Sequence, residues 1–161
     1  MKFALHKVLL FKVILISVLI SGCSAIETLP PDTPEYNLVT SFAPVEDKAV
    51  LYVFRSKSSD FKLYLTTIDI GDVDLEISPS SVHRFEIPPG QYNMEPDGVG
   101  TFSFEEELDV DLKAGEVYFV ELKHSARLGV PNKSELLEST ESELRSVMEV
   151  DKLFIAPIVR I

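Results

Sequence analysis

The chain has 161 residues, with 15 basic and 26 acidic side chains and a formal net charge of −11. This negative charge argues against nucleic acid or an anionic lipid surface as a partner, because phosphate groups would be repelled. The single cysteine excludes an internal disulfide, and the lack of tryptophan removes the usual stacking platform for sugars. The length suits one domain with its own core and is short for two.

Residues 1–22 have the parts of a secretory signal peptide. Lys2, Lys7 and Lys12 give a basic start without acidic residues. The apolar stretch 13–20 that follows is far shorter than the ~20 residues of a membrane-spanning helix. This order predicts a cleaved signal peptide. The next residues, Ile20-Ser21-Gly22-Cys23, resemble the bacterial lipobox, in which an aliphatic residue and two small ones precede an invariant cysteine.

The lipobox resemblance makes Cys23 the predicted lipidation site. It implies that the Cys23 thiol accepts a diacylglyceryl group and that cleavage then frees the Cys23 amine for a further acyl chain. Two or more acyl chains anchor a protein firmly, whereas one binds only marginally. Ser24 stands where enteric-type bacteria place an aspartate to retain lipoproteins in the inner membrane. By that resemblance, Ser24 favours the outer membrane, with the domain facing the periplasm.

The mature protein is expected to be strongly acidic and to begin with an extended segment. Loss of the signal peptide leaves 12 basic against 26 acidic side chains, a formal charge of −14. Residues 23–47 are expected to form the lipidated N terminus and an extended linker that holds the domain off the bilayer. The apolar residues Leu38, Val39 and Phe42 leave the linker boundary open by several residues. The linker's prolines are Pro30, Pro31, Pro34 and Pro44.

Residues 48–161 predict a mainly β domain, a small antiparallel β-sandwich of about seven strands with one C-terminal helix. The turn signals are Gly71-Asp72, Pro88-Pro89-Gly90, where Gly90 is expected at positive φ, and residues 113–116. Apolar residues near helical spacing predict the helix over residues 134–148. Runs rich in β-branched and aromatic residues predict the strands. They are residues 49–55, 61–70, 73–77, 82–87, 92–94, 101–112 and 117–123.

The apolar segment 153–161 is too hydrophobic for a solvated tail. We expect it to pair with an edge of the domain's own sheet, with Pro157 at a bend where no ladder donor is needed. The alternative is that it adds as a strand to the sheet of a partner protein.

Several short motifs together resemble the domain-of-unknown-function 2846 family over residues 48–150. They are the strand 49–55, the hairpin 67–72, Pro88-Pro89-Gly90 with Tyr92, and the run 114–120. The resemblance implies a compact β-sandwich, often behind a lipoprotein signal, and no catalytic residues. The sequence departs from the family pattern at residues 56–60 (Ser-Lys-Ser-Ser-Asp), which replace a glycine-rich loop.

Candidate chemical sites are few. His83 and His124, the only histidines after processing, need a third ligand from distant strands to hold zinc, so we expect them on polar strand faces. Asp69, Asp72 and Asp74 flank one turn and supply the oxygen ligands that calcium prefers, although a solvated hairpin explains them as well. The carboxylates of Glu105, Glu106, Glu107, Asp109 and Asp111 alternate along one predicted strand, where a sugar cleft would be needed for acid/base work.

The sequence therefore favours a non-enzymatic protein without a cofactor or metal site. The first function class is a structural or protein-interaction module of the bacterial envelope, held to the membrane by Cys23 and presented to an envelope protein partner. The second is a domain that binds a periplasmic small molecule, metal ion or glycan. A packed sandwich without a deep pocket favours the first class, and a polar cavity lined by His83 or the acidic turn favours the second.

Overall fold

The computed structural model describes residues 27–161, so the predicted signal peptide and Cys23 lie outside the described residues. Within that range the protein is mainly β, with two sheets of mostly antiparallel strands and a sandwich-like arrangement, as predicted. The helices are α1 (Pro34–Ser41) and α2 (Glu141–Asp151). The strands are β1 (Ala49–Arg55), β2 (Thr66–Ile70), β3 (Val73–Ile77), β4 (Ser81–Ile87), β5 (Gly90–Pro96), β6 (Ser103–Glu106), β7 (Leu108–Leu112), β8 (Val117–Ser125), β9 (Asn132–Ser139), β10 (Phe154–Ile155) and β11 (Val159–Arg160).

The large sheet has the strand order β10-β4-β1-β8-β9-β6, and β11 also pairs with β4. Its central strand β1 runs antiparallel to β4 and parallel to β8. The small sheet, in the order β3-β2-β5-β7, covers one face of the large sheet. The core between the sheets includes Leu51, Val53, Ile68, Met94 and Leu122.

Helices α1 and α2 cover the opposite face of the large sheet. Val39 from α1 and Leu144 from α2 pack with Tyr52, Phe54 and Val82 of the sheet. Strands β1 and β4 are consequently buried at every position. Burial on both faces explains why β1 reads as an almost continuous apolar run rather than as an alternation.

The expectation of an extended linker is wrong for Pro34–Ser41, which forms α1. The Thr33 hydroxyl accepts a hydrogen bond from the Tyr36 backbone N–H, and Pro34 occupies the first turn, where its missing N–H costs nothing. Val39 is fully buried, and its carbonyl accepts a hydrogen bond of 2.8 Å from the Tyr52 hydroxyl. Proline composition suggested extension, but Thr33-Pro34 is also a helix start.

The helix expected over residues 134–148 begins seven residues later, at Glu141. Residues 132–139 instead form β9, whose Ser134 and Leu136 are buried while it pairs with β8. A capping box at Thr140 and Glu143 fixes the helix start, because each of the two side chains bonds the other residue's backbone N–H.

The structure has more strands in its described part than the seven expected. Residues 101–112 divide into β6 and β7, which lie in different sheets, and β9, β10 and β11 add the rest. The strand expected over 61–70 forms only from Thr66 onward. Gly71 has a φ of 61° in the β2–β3 turn, but Gly90 has no positive φ because it already belongs to β5.

The apolar segment 153–161 pairs with the protein's own sheet, which confirms that expectation. β10 and β11 both lie parallel to β4, with Pro157 in the break between them. Backbone bonds of 3.0 Å from the N–H of Ala156 to the Val82 carbonyl and from the N–H of Ile161 to the Glu86 carbonyl fix the register.

Candidate functional site

A half-open cavity of about 790 Å³ lies where the β3 edge of the small sheet meets β4, β10 and β11. Its apolar lining includes Leu63, Leu65, Leu75, Phe85, Ala156 and Val159. Glu27, Lys62, Asp74, Glu76 and His83 add polar groups to the wall. An apolar cavity with a few polar groups is the usual form of a small-molecule site.

His83 lies in the cavity wall as a neutral side chain. Its Nε2 atom is 3.2 Å from the Ser78 backbone N and 2.8 Å from the Ser81 hydroxyl, which itself donates to the Ser78 carbonyl. Because a backbone N–H can only donate, Nε2 accepts and the ring proton resides on Nδ1. Burial lowers the pKa of His83 to about 4. Among residues 27–161, Nδ1 has no hydrogen-bond acceptor, so it is free to donate to a ligand.

His124 has both ring nitrogens satisfied internally. Nε2 lies 2.8 Å from the Thr66 hydroxyl, and Nδ1 lies 2.9 Å from the Ser134 hydroxyl. Burial and then the charge of Arg55 lower the pKa of His124 to about 4. The expectation that both histidines lie on polar strand faces is wrong, since both are buried. They lie on β4 and β8 with β1 between, and residues 27–161 contain no cluster of three metal-binding side chains.

The acidic turn forms an exposed hairpin. Asp69 faces Asp74 across β2 and β3. Local desolvation and the negative charges of Asp74 and Asp97 raise the pKa of Asp69. Within residues 27–161, these carboxylates do not form a group of three side chains that could hold a metal ion. Asp72 lies in the turn itself.

The second acidic run does not form one face. Glu105 and Glu106 lie on β6 in the large sheet, whereas Asp109 and Asp111 lie on β7 in the small sheet. The expectation of alternating carboxylates on a single strand is therefore wrong. Glu107 and Asp109 accept hydrogen bonds of 3.0 and 2.9 Å from the Asn93 side-chain amide at the surface.

Arg55, fully buried at the end of β1, binds neutral oxygen atoms and no carboxylate among residues 27–161. Its guanidinium donates to the carbonyls of Asp60, Phe61 and Tyr64 at 2.6–2.7 Å and to the Ser59 hydroxyl at 3.3 Å. Burial lowers the pKa of Arg55 to about 10. The bond to Phe61 supports a residue with a φ of 57°, a strained conformation for a bulky side chain. Arg55 thus fixes the shape of the loop 56–65.

Arg84, fully buried on β4, is neutralised by a carboxylate. Its Nε lies 3.2 Å from Glu86, and its Nη1 donates to the Tyr52 hydroxyl and the Ala43 carbonyl at 2.8 and 2.9 Å. Glu86 also receives a bond of 3.0 Å from Arg160 on β11. Within the described chain, the Nη2 atom of Arg84 has no hydrogen-bond partner. This network joins β1, β4, β11 and the segment after α1 under the helical layer.

Sequence reasoning missed both arginines. Each arginine follows or interrupts an apolar run, and a charged residue in such a place ordinarily indicates the solvated end or face of a strand. The one available signal was that β1 is apolar at consecutive positions, which indicates burial on both faces. Under that interpretation, an arginine on the neighbouring strand requires an internal acceptor.

The chain matches no family model, and no curated protein matches it either. The resemblance to the domain-of-unknown-function 2846 family therefore stays a prediction. In the part of the chain that the structure describes, no helix has the length and apolar character needed to cross a membrane.

Proposed function

We propose that this protein is a bacterial envelope lipoprotein, anchored by lipid on Cys23, that serves as a non-enzymatic structural or protein-interaction module. The observation that carries the proposal is the lipobox-like sequence Ile20-Ser21-Gly22-Cys23 behind a basic start and a short apolar stretch. Outer-membrane attachment with the domain in the periplasm follows from Ser24.

The interior supports a scaffold more than a reaction centre. His124 and Arg55, two buried groups with the capacity for chemistry, make their hydrogen bonds to neighbouring backbone and side chains, and Arg84 does the same through Nε and Nη1. General acid/base catalysis needs a titratable group near neutral pH within reach of a substrate. Burial moves both histidine pKa values to about 4 instead.

Replacement of the proposed lipid site tests the anchor. Cys23→Ala is expected to accumulate as unprocessed precursor, to take up no labelled palmitate and to leave the detergent phase. Ser21→Ala is the matched control, because alanine keeps a small residue before the cleavage site and should be processed normally. Palmitate uptake by Cys23→Ala at the wild-type level would refute the anchor.

The membrane assignment has its own test. Ser24→Asp is expected to move the lipidated protein from outer-membrane to inner-membrane fractions of a density gradient, whereas Ser24→Ala should not. Wild-type protein already in the inner membrane would contradict the outer-membrane assignment and leave the anchor intact.

The cavity at His83 favours a second candidate function, the binding of a small apolar molecule with one hydrogen-bond acceptor. The probe is 1-anilinonaphthalene-8-sulfonate, which pairs an apolar ring system with a sulfonate. Saturable binding to one site that is lost in Val159→Arg, at the cavity wall, and kept in Val150→Arg, on exposed α2, would support this function. Equal binding by both variants would refute it.

A further inference from the structure

Large exposed apolar side chains gather at one end of the sandwich. We call it the loop end, and it consists of the loops 56–65, 97–102 and 126–131. β1 and β8 are parallel, so the first and third loops leave the same end of the large sheet. Hydrogen bonds of 2.9 Å from the Asp60 N–H to the His124 carbonyl and 2.8 Å from the Ala126 N–H to the Asp60 carboxylate join these two loops. The exposed residues are Leu63, Tyr64, Leu65, Phe102, Leu128 and Val130.

The loop that carries Leu63 and Leu65 has a fixed shape. Arg55 donates hydrogen bonds to three of its carbonyls, and the backbone of Phe61 is strained at a positive φ. Leu63 is 94% exposed in this held conformation. Both the strained backbone and the exposure of leucine to water are unfavourable. Burial of the leucine side chains against an apolar surface would remove the second of these unfavourable contributions.

The described chain begins at this same end. The Leu29 N–H donates to the Ile155 carbonyl at 2.7 Å. Ile155 pairs with the first residues of β4, and these residues also pair with the end of β1 at Arg55. Glu27 lines the cavity together with Lys62 and Leu63. Leu29 lies only six positions after Cys23 in the sequence. In any conformation that segment reaches at most about 20 Å, so a lipid on Cys23 keeps the loop end close to the bilayer.

The two ends of the sandwich also differ in charge. The three loops themselves carry Lys57, Lys62 and Arg127 against Asp60 and Asp97, a formal charge of +1 in a mature chain of −14. Two further carboxylates lie against them, because Asp151 accepts a hydrogen bond from the Lys57 N–H and Glu27 lines the cavity together with Lys62. At the opposite end, where the Gly115 N–H donates to the Val45 carbonyl, Glu46, Asp47 and Glu116 are exposed together with Lys113. The loop end is therefore less acidic than the mature chain as a whole, which weakens its repulsion by a phosphate surface.

We infer that the loop end docks on the lipid bilayer, with Leu63, Tyr64 and Leu65 in the headgroup region and Lys62 beside them. This inference rests on the proposed lipid anchor at Cys23. Under this inference, the segment between Cys23 and Leu29 is a short tether that holds the domain against the membrane in one orientation, and not a spacer that holds it off the bilayer. Apolar residues beside lysines are the composition that binds membrane interfaces.

The experiment uses full-length lipidated protein in vesicles of phosphatidylethanolamine and phosphatidylglycerol. The lipid occupies the only cysteine as a thioether, so Leu63→Cys provides the single thiol for an environment-sensitive nitrobenzoxadiazole probe. Docking predicts a blue-shifted emission and at least twofold quenching by lipids that carry a shallow nitroxide. Glu116→Cys, exposed at the opposite end, is the matched control and should show neither effect.

Each failure is separable. Protein that floats with vesicles and takes up palmitate but leaves the Leu63 probe unquenched would overturn docking and keep the anchor. Probe uptake by the chain without an introduced cysteine would show that Cys23 is a free thiol, which overturns the anchor itself. Shielding of the Leu63 probe in native envelope membranes, but not in vesicles, would assign the loop end to a protein partner and also overturn docking.

Discussion

Arg55 and Arg84 are buried on adjacent strands, yet they meet different partners. Arg84 faces the carboxylate of Glu86 and lies under the helical layer, whereas Arg55 faces neutral carbonyls at the end of the sheet. A buried charge without a countercharge is costly, and for Arg55 the hydrogen bonds to neighbouring oxygen atoms offset part of that cost. Arg84 joins layers of the core, and Arg55 shapes one loop. The comparison therefore distinguishes a buried arginine that stabilises the whole fold, Arg84, from one that determines the shape of a surface loop, Arg55.

The largest expected effect comes from removal of residues 153–161, which carry β10, β11 and the second cation on Glu86. Ile155 and Ala156 are buried, and Leu153, Ile158 and Ile161 are partly buried. At roughly 1.5 to 3 kcal/mol for each fully buried large side chain, we expect a loss of about 5 kcal/mol. Urea denaturation measures it.

Arg160→Ala is the control for that deletion. Its side chain is 59% exposed, so loss of the ion pair alone should cost less than about 1 kcal/mol. A truncated protein that melts like the complete one would show that the segment is not part of the core.

Arg84→Met is expected to reduce the free energy of unfolding by about 3 kcal/mol, because it leaves Glu86 buried with one solvent-exposed partner. The double variant Arg84→Met/Glu86→Leu should recover most of that loss, since it removes both charges. If the double variant is as unstable as the single one, packing rather than charge compensation explains the role of Arg84.

The pH dependence of stability should report the two buried histidines. Both folded-state pKa values, about 4, lie below the ordinary 6.5. The unfolded chain therefore binds more protons as pH falls from 6.5 to 4, and stability is lost over that window, about 2 kcal/mol per histidine at pH 5. His124→Asn should flatten the profile by one such increment.

Arg55→Met should raise the pKa of His124, because the arginine's charge contributes to its depression, while Arg84→Met should leave it unchanged. Titration of the imidazole protons by NMR gives both values. Equal shifts in the two variants would remove the proposed electrostatic distinction between the arginines.

Arg55→Lys is expected to lower the free energy of unfolding by about 1 kcal/mol, because lysine cannot match the fork of donors that spans Asp60, Phe61 and Tyr64. The effect should be local, with faster trypsin cleavage after Lys62. Cleavage at the wild-type rate would mean that the loop keeps its shape without the guanidinium.

The sequence predicted the fold class, the β1 strand, the β2–β3 turn and the return of segment 153–161 to the sheet, because periodicity and turn residues encode these locally. It missed α1 and began α2 seven residues early, because prolines, glutamates and spaced leucines suit more than one structure until tertiary contacts decide. Residues 101–112 read as one strand, since nothing local marks the point where Glu107 passes between sheets.

The cavity and the Arg84 network depend on partners remote in sequence, whereas Arg55 binds residues four to nine positions later. Ser56 bonds Glu121, and His124 bonds Thr66, pairs that no spacing rule could suggest. The candidate anchor at Cys23 differs, because it is a short linear motif that can be recognised in the sequence without knowledge of the fold.

The parallel pairing of β1 with β8 has a consequence for how the chain acquires its structure. Val50 pairs with Val117, and the whole small sheet is made by the residues between them. Closing so long a loop carries a large entropic cost before any contact repays it, so folding of this topology is slow compared with that of a helical bundle. Under the export that we propose, slow closure favours passage through a secretion channel as an unfolded polypeptide, with the central sheet completed only on the far side.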